Sequence, residues 1–176
     1  MRNGIRPLLQ RLATRRVVFP TVLAALLCVT AFEWRDARLG GLELLDTRQW
    51  YTPEQADALF GALDRLDPCA RTVYALTEVS VDLIFPVAYG LLLALLLLRL
   101  FGDARPFYLL PIAGAVADVC ENISIALLAA TYAGAPSSWT RVAAVFTLLK
   151  SMLILAALAV ALAGAIRWLW AVRRRA

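Results

Sequence analysis

The chain contains no histidine. That removes the side chain most often used for acid–base work near neutral pH, and the commonest metal ligand. Lysine is nearly as scarce. Lys150 stands alone among 18 basic residues, the others all being arginine. Cysteine is limited to Cys28, Cys69 and Cys120, two of them inside apolar runs, so no disulfide framework is readable. Carboxylates unaccompanied by imidazole or a thiolate cluster are a poor basis for a metal site, and neither a metal nor a cofactor is expected. Internal repeats, linkers and low-complexity segments are also missing, which leaves one integral membrane domain over residues 1–176. The net charge of +5 is unevenly distributed. It argues topology, with no nucleic-acid partner.

What the chain has in abundance is apolar sequence: 61% of its residues, against about 45–50% in soluble domains. These residues fall in blocks at about 17–33, 74–100, 107–132 and 142–166, each long enough, or nearly so, to cross a bilayer. The expected fold is all-α, a four-helix transmembrane bundle with an external amphipathic helix. The first run follows five arginines and could be read as a signal peptide, with Val29-Thr-Ala31 as a cleavage site. A retained first span, anchored by Trp34, is the preferred reading.

Between the first two spans lies a mixed-charge segment, 34–73, with its own helix signature. Thr52-Pro-Glu-Gln55 is a capping box with proline at the first helical position. Leu59, Phe60, Leu63 and Leu66 then recur at helical spacing, and Asp67-Pro68 ends the run. An amphipathic helix over about 53–66, on the membrane surface or over the mouth of the bundle, is expected. Arginine is concentrated in the N-terminal segment, the 99–106 loop and the C-terminal tail. The positive-inside rule puts those cytoplasmic, and the 34–73 and 133–140 loops outside. The localisation expected is a bacterial-type inner membrane, multi-pass, with both termini cytoplasmic.

The apolar runs carry charges that hydrocarbon tolerates poorly. Asp118, Glu121 and Asn122 share one face of the third span, and Glu78 and Asp82 share one face of the second. Lys150, flanked by Thr147 and Ser151, lies inside the fourth. At about 1.5 Å per residue, Asp82 falls about 12 Å below the outer boundary, Lys150 about 14 Å and Asp118 about 12 Å. Three charges from three helices thus reach one level. Pro86 should kink the second span and free a carbonyl near the polar face. Tyr89 lies one or two turns deeper. Ionised together, four acids and one lysine would carry three excess negative charges, which burial and like-charge repulsion oppose. Interhelical polar contacts contribute only about 0.6 kcal/mol each. Four acids against one lysine therefore exceed what bracing requires. Glu78, Asp82, Asp118 and Glu121 are the candidate catalytic or binding acids. Asn122, Tyr89, Lys150, Thr147 and Ser151 are the candidate ligand-binding residues.

The stretch Glu78–Tyr89, Glu-Val-Ser-Val-Asp-Leu-Ile-Phe-Pro-Val-Ala-Tyr, resembles the second membrane helix of the EXPERA family, which includes the emopamil-binding sterol isomerase and the sigma-two receptor. Tyr51-Thr-Pro-Glu and Asp67-Pro68 ahead of it are similar too, as is the plan of four spans with both ends cytoplasmic. The resemblance implies an intramembrane pocket for sterol-like or cationic amphiphilic ligands. Its acids, Glu78 foremost with Asp82 beside it, would hold a ligand cation or the carbocation of a double-bond shift. The isomerase members use a histidine, which this chain lacks, and Asp-x-x-Glu-Asn of the third span is not a signature of that family. The partners expected are a lipid or amphiphilic small molecule and the bilayer, and a homodimer is compatible with four spans. If the protein is an enzyme, it is a membrane lipid isomerase using buried carboxyls. Alternatives are a small transporter or proton-coupled subunit with the acids and Lys150 as a relay, a structural membrane protein, and a Schiff-base lysine holding an aldehyde cofactor.

Overall fold

The computed structural model describes residues 5–102 and 106–174. Among these there is no strand. The helices are α1 (Ile5–Leu12), α2 (Arg15–Arg38), α3 (Pro53–Leu66), α4 (Ala70–Glu78), α5 (Val81–Phe101), α6 (Leu109–Ala130) and α7 (Thr140–Arg173), with a 3-10 turn at Leu45–Thr47. Four helical stretches are long and apolar enough to cross a membrane: α2, α4 with α5, α6 and α7. The chain is thus a multi-pass, all-α membrane bundle. Arg2, Arg105 and Arg175, which entered the orientation argument, lie outside the described residues.

The central helix is α6, which packs against α4, α5 and α7. Small residues allow the close approach. A methyl group added at Gly90 would lie 2.8 Å from Cβ of Ala115. One added at Gly114 would lie 3.2 Å from Ile154. Such contacts bring helix backbones together where hydrocarbon supplies no hydrophobic drive. The outer face of α7 shows Leu148, Met152, Leu155 and Leu162, all exposed, as lipid contact requires.

Three features differ from the sequence reading. The basic N-terminal segment contains a separate amphipathic helix, α1, set off from α2 by an extended Thr14. Its Leu9 is buried against Ala94, Leu95 and Leu98 of α5. The second span is not continuous, because the backbone breaks at Val79–Ser80 between α4 and α5. Helix α2 runs past the first apolar run to Arg38, one turn and more beyond Phe32. Gly40 and Gly41, both at positive φ, then reverse the chain.

After that reversal the loop dips back into the bundle. Leu44, Leu45 and Tyr51 are fully buried. The capping box of α3 is formed: Gln55 N–H donates to the Thr52 hydroxyl at 3.3 Å, and Thr52 N–H donates to Gln55 Oε1 at 2.9 Å. Leu59, Phe60 and Leu63 of α3 pack on Tyr74, Ile125, Ala129 and Ala143, closing the end of the bundle. Leu66 is not part of that face. It is half exposed and leans on the Gly40 turn. Arg71 of α4 donates to the carbonyl of Ala129 at 2.6 Å and pairs with Asp64 at 2.9 Å. It caps the C-terminal end of α6 and ties the lid to it. Tyr132 donates to Asp57 Oδ1 at 2.7 Å as a further latch.

Candidate functional site

Beneath this lid the buried charges form two neighbouring centres. The first surrounds Lys150. Its Nζ lies 3.0 Å from Asp118 Oδ1 and 2.6 Å from Glu121 Oε2. Asp118 and Glu121 are three residues apart on α6, so one lysine from α7 reaches both. The Thr147 hydroxyl, one turn before Lys150, donates to Glu121 Oε1 at 2.8 Å. Tyr89 of α5 donates to Asp118 Oδ2 at 2.8 Å. The hydroxyl of Tyr51, reaching down from the loop, lies 3.3 Å from Thr147 Oγ1. Burial pushes the Tyr51 phenol well above its ordinary range, so it stays protonated. A continuous polar chain therefore runs Tyr89, Asp118, Lys150, Glu121, Thr147, Tyr51.

The second centre surrounds Arg35, which is 2% exposed. Its guanidinium lies 3.3 Å from Glu78 Oε1, 3.1 Å from Asp46 Oδ2, 3.9 Å from Asp82 Oδ2 and 3.0 Å from Asp36 Oδ1. Phe32 and Tyr74 flank it, with ring centroids 5.1 and 5.9 Å from Cζ. The Tyr74 hydroxyl donates to Asp46 Oδ1 at 2.9 Å and accepts from the backbone of Leu45 at 3.1 Å. A planar guanidinium with five donors can serve several carboxylates at once, as an ammonium cannot.

The two centres meet at Asp82. Pro86 has no N–H, so the carbonyl four residues earlier, that of Asp82, has no helical partner. The Asn122 amide of α6 donates to it. The freed carbonyl anticipated from Pro86 is therefore this one.

The picture of a single acid cluster with Lys150 as its only base needs correction. Glu78 and Asp82 face Arg35, whereas Asp118 and Glu121 face Lys150. Counting Asp46 and setting aside the half-exposed Asp36, five carboxylates face two bases. The excess of three negative charges is the one reached from sequence, with different members. Ser151 makes no side-chain hydrogen bond among the described residues, so it stands outside both centres although it adjoins Lys150. Arg35, Asp46, Tyr74 and Tyr51 were missed. The only sequence signal for Arg35 is its place directly after the Glu33-Trp34 pair that follows the first apolar run, which reads as an ordinary interfacial flank.

The Lys150 centre opens sideways. A groove of about 520 Å³ lies between α5 and α7, with Asp118 of α6 at its base. Its walls are Phe85, Leu92, Leu93 and Leu96 on one side and Ile154 and Leu158 on the other. Tyr89, Asp118 and Lys150 are its polar groups. Leu96 and Leu158 are about half exposed, so the groove faces the surroundings of the bundle rather than its interior.

Fold and site together define a multi-pass helical membrane protein with two buried ionic centres, one of which opens onto a lateral apolar groove. No protein-family model, curated protein or solved structure matches the chain.

Proposed function

We propose that the protein binds a hydrophobic ligand with a small polar head in the groove between α5 and α7. The observation that carries this reading is the groove's composition: apolar walls converging on one ion pair and one tyrosine. Ligand sites in general have this character, a largely apolar cavity with few placed polar groups. From Lys150 to Leu158 the groove follows α7 for about 12 Å. That length suits a sterol-like nucleus or a medium acyl chain. Lys150 is held between two carboxylates, so the local balance is negative. It favours a hydroxyl or ammonium head over an anionic one. The expected EXPERA-like ligand class, sterol-like or cationic amphiphilic, agrees with this. The acids at the groove differ from those the resemblance would use. Asp118 lines it, whereas Glu78 is engaged with Arg35. If turnover follows binding, Asp118 and Tyr89 are the groups positioned to exchange a proton with the ligand. The arginine-rich ends support cytoplasmic termini in a bacterial-type inner membrane, which puts the lid on the outer side.

A thermal-shift screen of amphiphilic amines and sterol-like lipids in detergent tests the proposal. A ligand should stabilise the wild type and lose that effect in Asp118→Asn and in Leu93→Trp, which fills the groove. Equal stabilisation of all three would refute it. The unbroken polar chain from Tyr89 to Tyr51 favours a second reading, a proton-coupled subunit. Proton uptake into proteoliposomes that stops in Glu121→Gln would select it.

A further inference from the structure

The Arg35 centre contains more than an arginine and its counter-ions. Oxygens of Asp46, Glu78 and Asp82 lie within 4.8 Å of one another, the spacing at which three carboxylates can share a cation. Arg35 occupies one side of the set and leaves two negative charges over. Two acceptor atoms there have no donor: Glu78 Oε2 and Asn122 Oδ1. Both residues are 0% exposed. Asn122 is not an acid, and its presence is independent of the cluster's charge. Its amide nitrogen is anchored on the Asp82 carbonyl, which keeps the free oxygen beside that residue. A buried acceptor without a donor costs about 1–3 kcal/mol, and a charged one more. One on the carboxylate cluster itself and one on the residue bonded to Asp82, next to surplus negative charge, they describe a position for something positive.

We infer that this centre is a binding site for a small hard monovalent cation, sodium in class, held by Glu78, Asp82, Asn122 and Asp46 beside Arg35. The donor set is all oxygen, which suits hard cations and disfavours transition metals. The two surplus charges attract a divalent ion more strongly, but its desolvation cost grows with the square of its charge and the guanidinium 3.1–3.9 Å from the same carboxylates repels it twice as much, so the ion inferred is monovalent. A proton on one carboxyl would relieve a single charge, whereas a coordinated ion draws on every free oxygen at once. The site is formed by residues from the loop, α4, α5 and α6, so ion binding fastens the lid-bearing segments to the span that lines the groove. It does not depend on the groove having a ligand.

The test uses the full chain in detergent, with sodium chloride exchanged for N-methylglucamine chloride at constant ionic strength. Sodium at ten times its dissociation constant should raise the unfolding midpoint by about 3–6 °C. Glu78→Gln should abolish the response, and the exposed control Glu43→Gln should keep it. Equal midpoints in the two salts, or an equal sodium shift in Glu78→Gln, would overturn the inference. So would a response to pH alone, which would mark a proton site. If Glu78→Gln does not fold, equilibrium dialysis of the wild type with radioactive sodium decides. About one saturable ion per chain supports the site, and none overturns it.

Discussion

Replacing Arg35 by methionine tests the second centre most severely. Methionine keeps much of the side chain's length and its apolar stem but removes the charge. Glu78 and Asp82, 0% and 6% exposed, would then face each other and Asp46 with no base. Breaking a buried ion pair by removing one partner costs about 3–5 kcal/mol. For a chain of this size each kcal/mol moves the unfolding midpoint by about 2–4 °C, so a fall of about 6–20 °C is expected. Glu78→Gln in the same background removes one uncompensated charge and should recover part of the fall. The assay is thermal unfolding in detergent followed by tryptophan fluorescence. Trp34→Leu, next in sequence and exposed, should change little. If Arg35→Met melts within 2 °C of the wild type, Arg35 does not neutralise the buried acids and the two-centre description fails.

Lys150→Met should destabilise by a similar amount, and adding Asp118→Asn with Glu121→Gln should restore most of it; purely additive losses in the combined variant would show that the three are not coupled. Tyr132→Phe removes the latch to Asp57 and should cost about 1 kcal/mol, read from the same melting curves, with ligand affinity unchanged. Gly90→Val brings side-chain atoms onto Ala115 and should lower the yield of folded protein, which a companion Ala115→Gly should improve. Cys69 is exposed beside the lid and should react with a membrane-impermeant thiol reagent on intact cells; labelling only after lysis would invert the orientation.

Periodicity and depth made half of the site legible. Asp118, Glu121 and Lys150 sit within long helices whose rise per residue is fixed, so matching depths implied contact, and the distances of 3.0 and 2.6 Å agree. The Thr52 capping box was legible for the same reason, since both of its hydrogen bonds are local. Arg35 was not, because its burial depends on α2 continuing beyond its apolar run and packing on α5. Asp46 was hidden further. It is a loop residue, carried inward only because Leu44 and Leu45 bury beside it and the Gly40–Gly41 turn aims the chain back. The break at Val79–Ser80 left no mark in hydropathy. The one strong breaker nearby, Pro86, lies six residues on, and Asn122 supplies the donor that it lacks.

In the function proposed, ligand occupies the α5–α7 groove with its head at Asp118 and Lys150. The decisive experiment is photo-crosslinking with a diazirine-bearing sterol or amphiphilic amine, with the labelled residues mapped by peptide sequencing. Saturable labelling is expected at Leu92, Leu93 and Leu96 of α5 and at Ile154 and Leu158 of α7, competed by unlabelled ligand and lost in Asp118→Asn. Labelling confined to the outer face of α7, around Leu148, Met152 and Leu162, and indifferent to that substitution, would rule the groove out as the site.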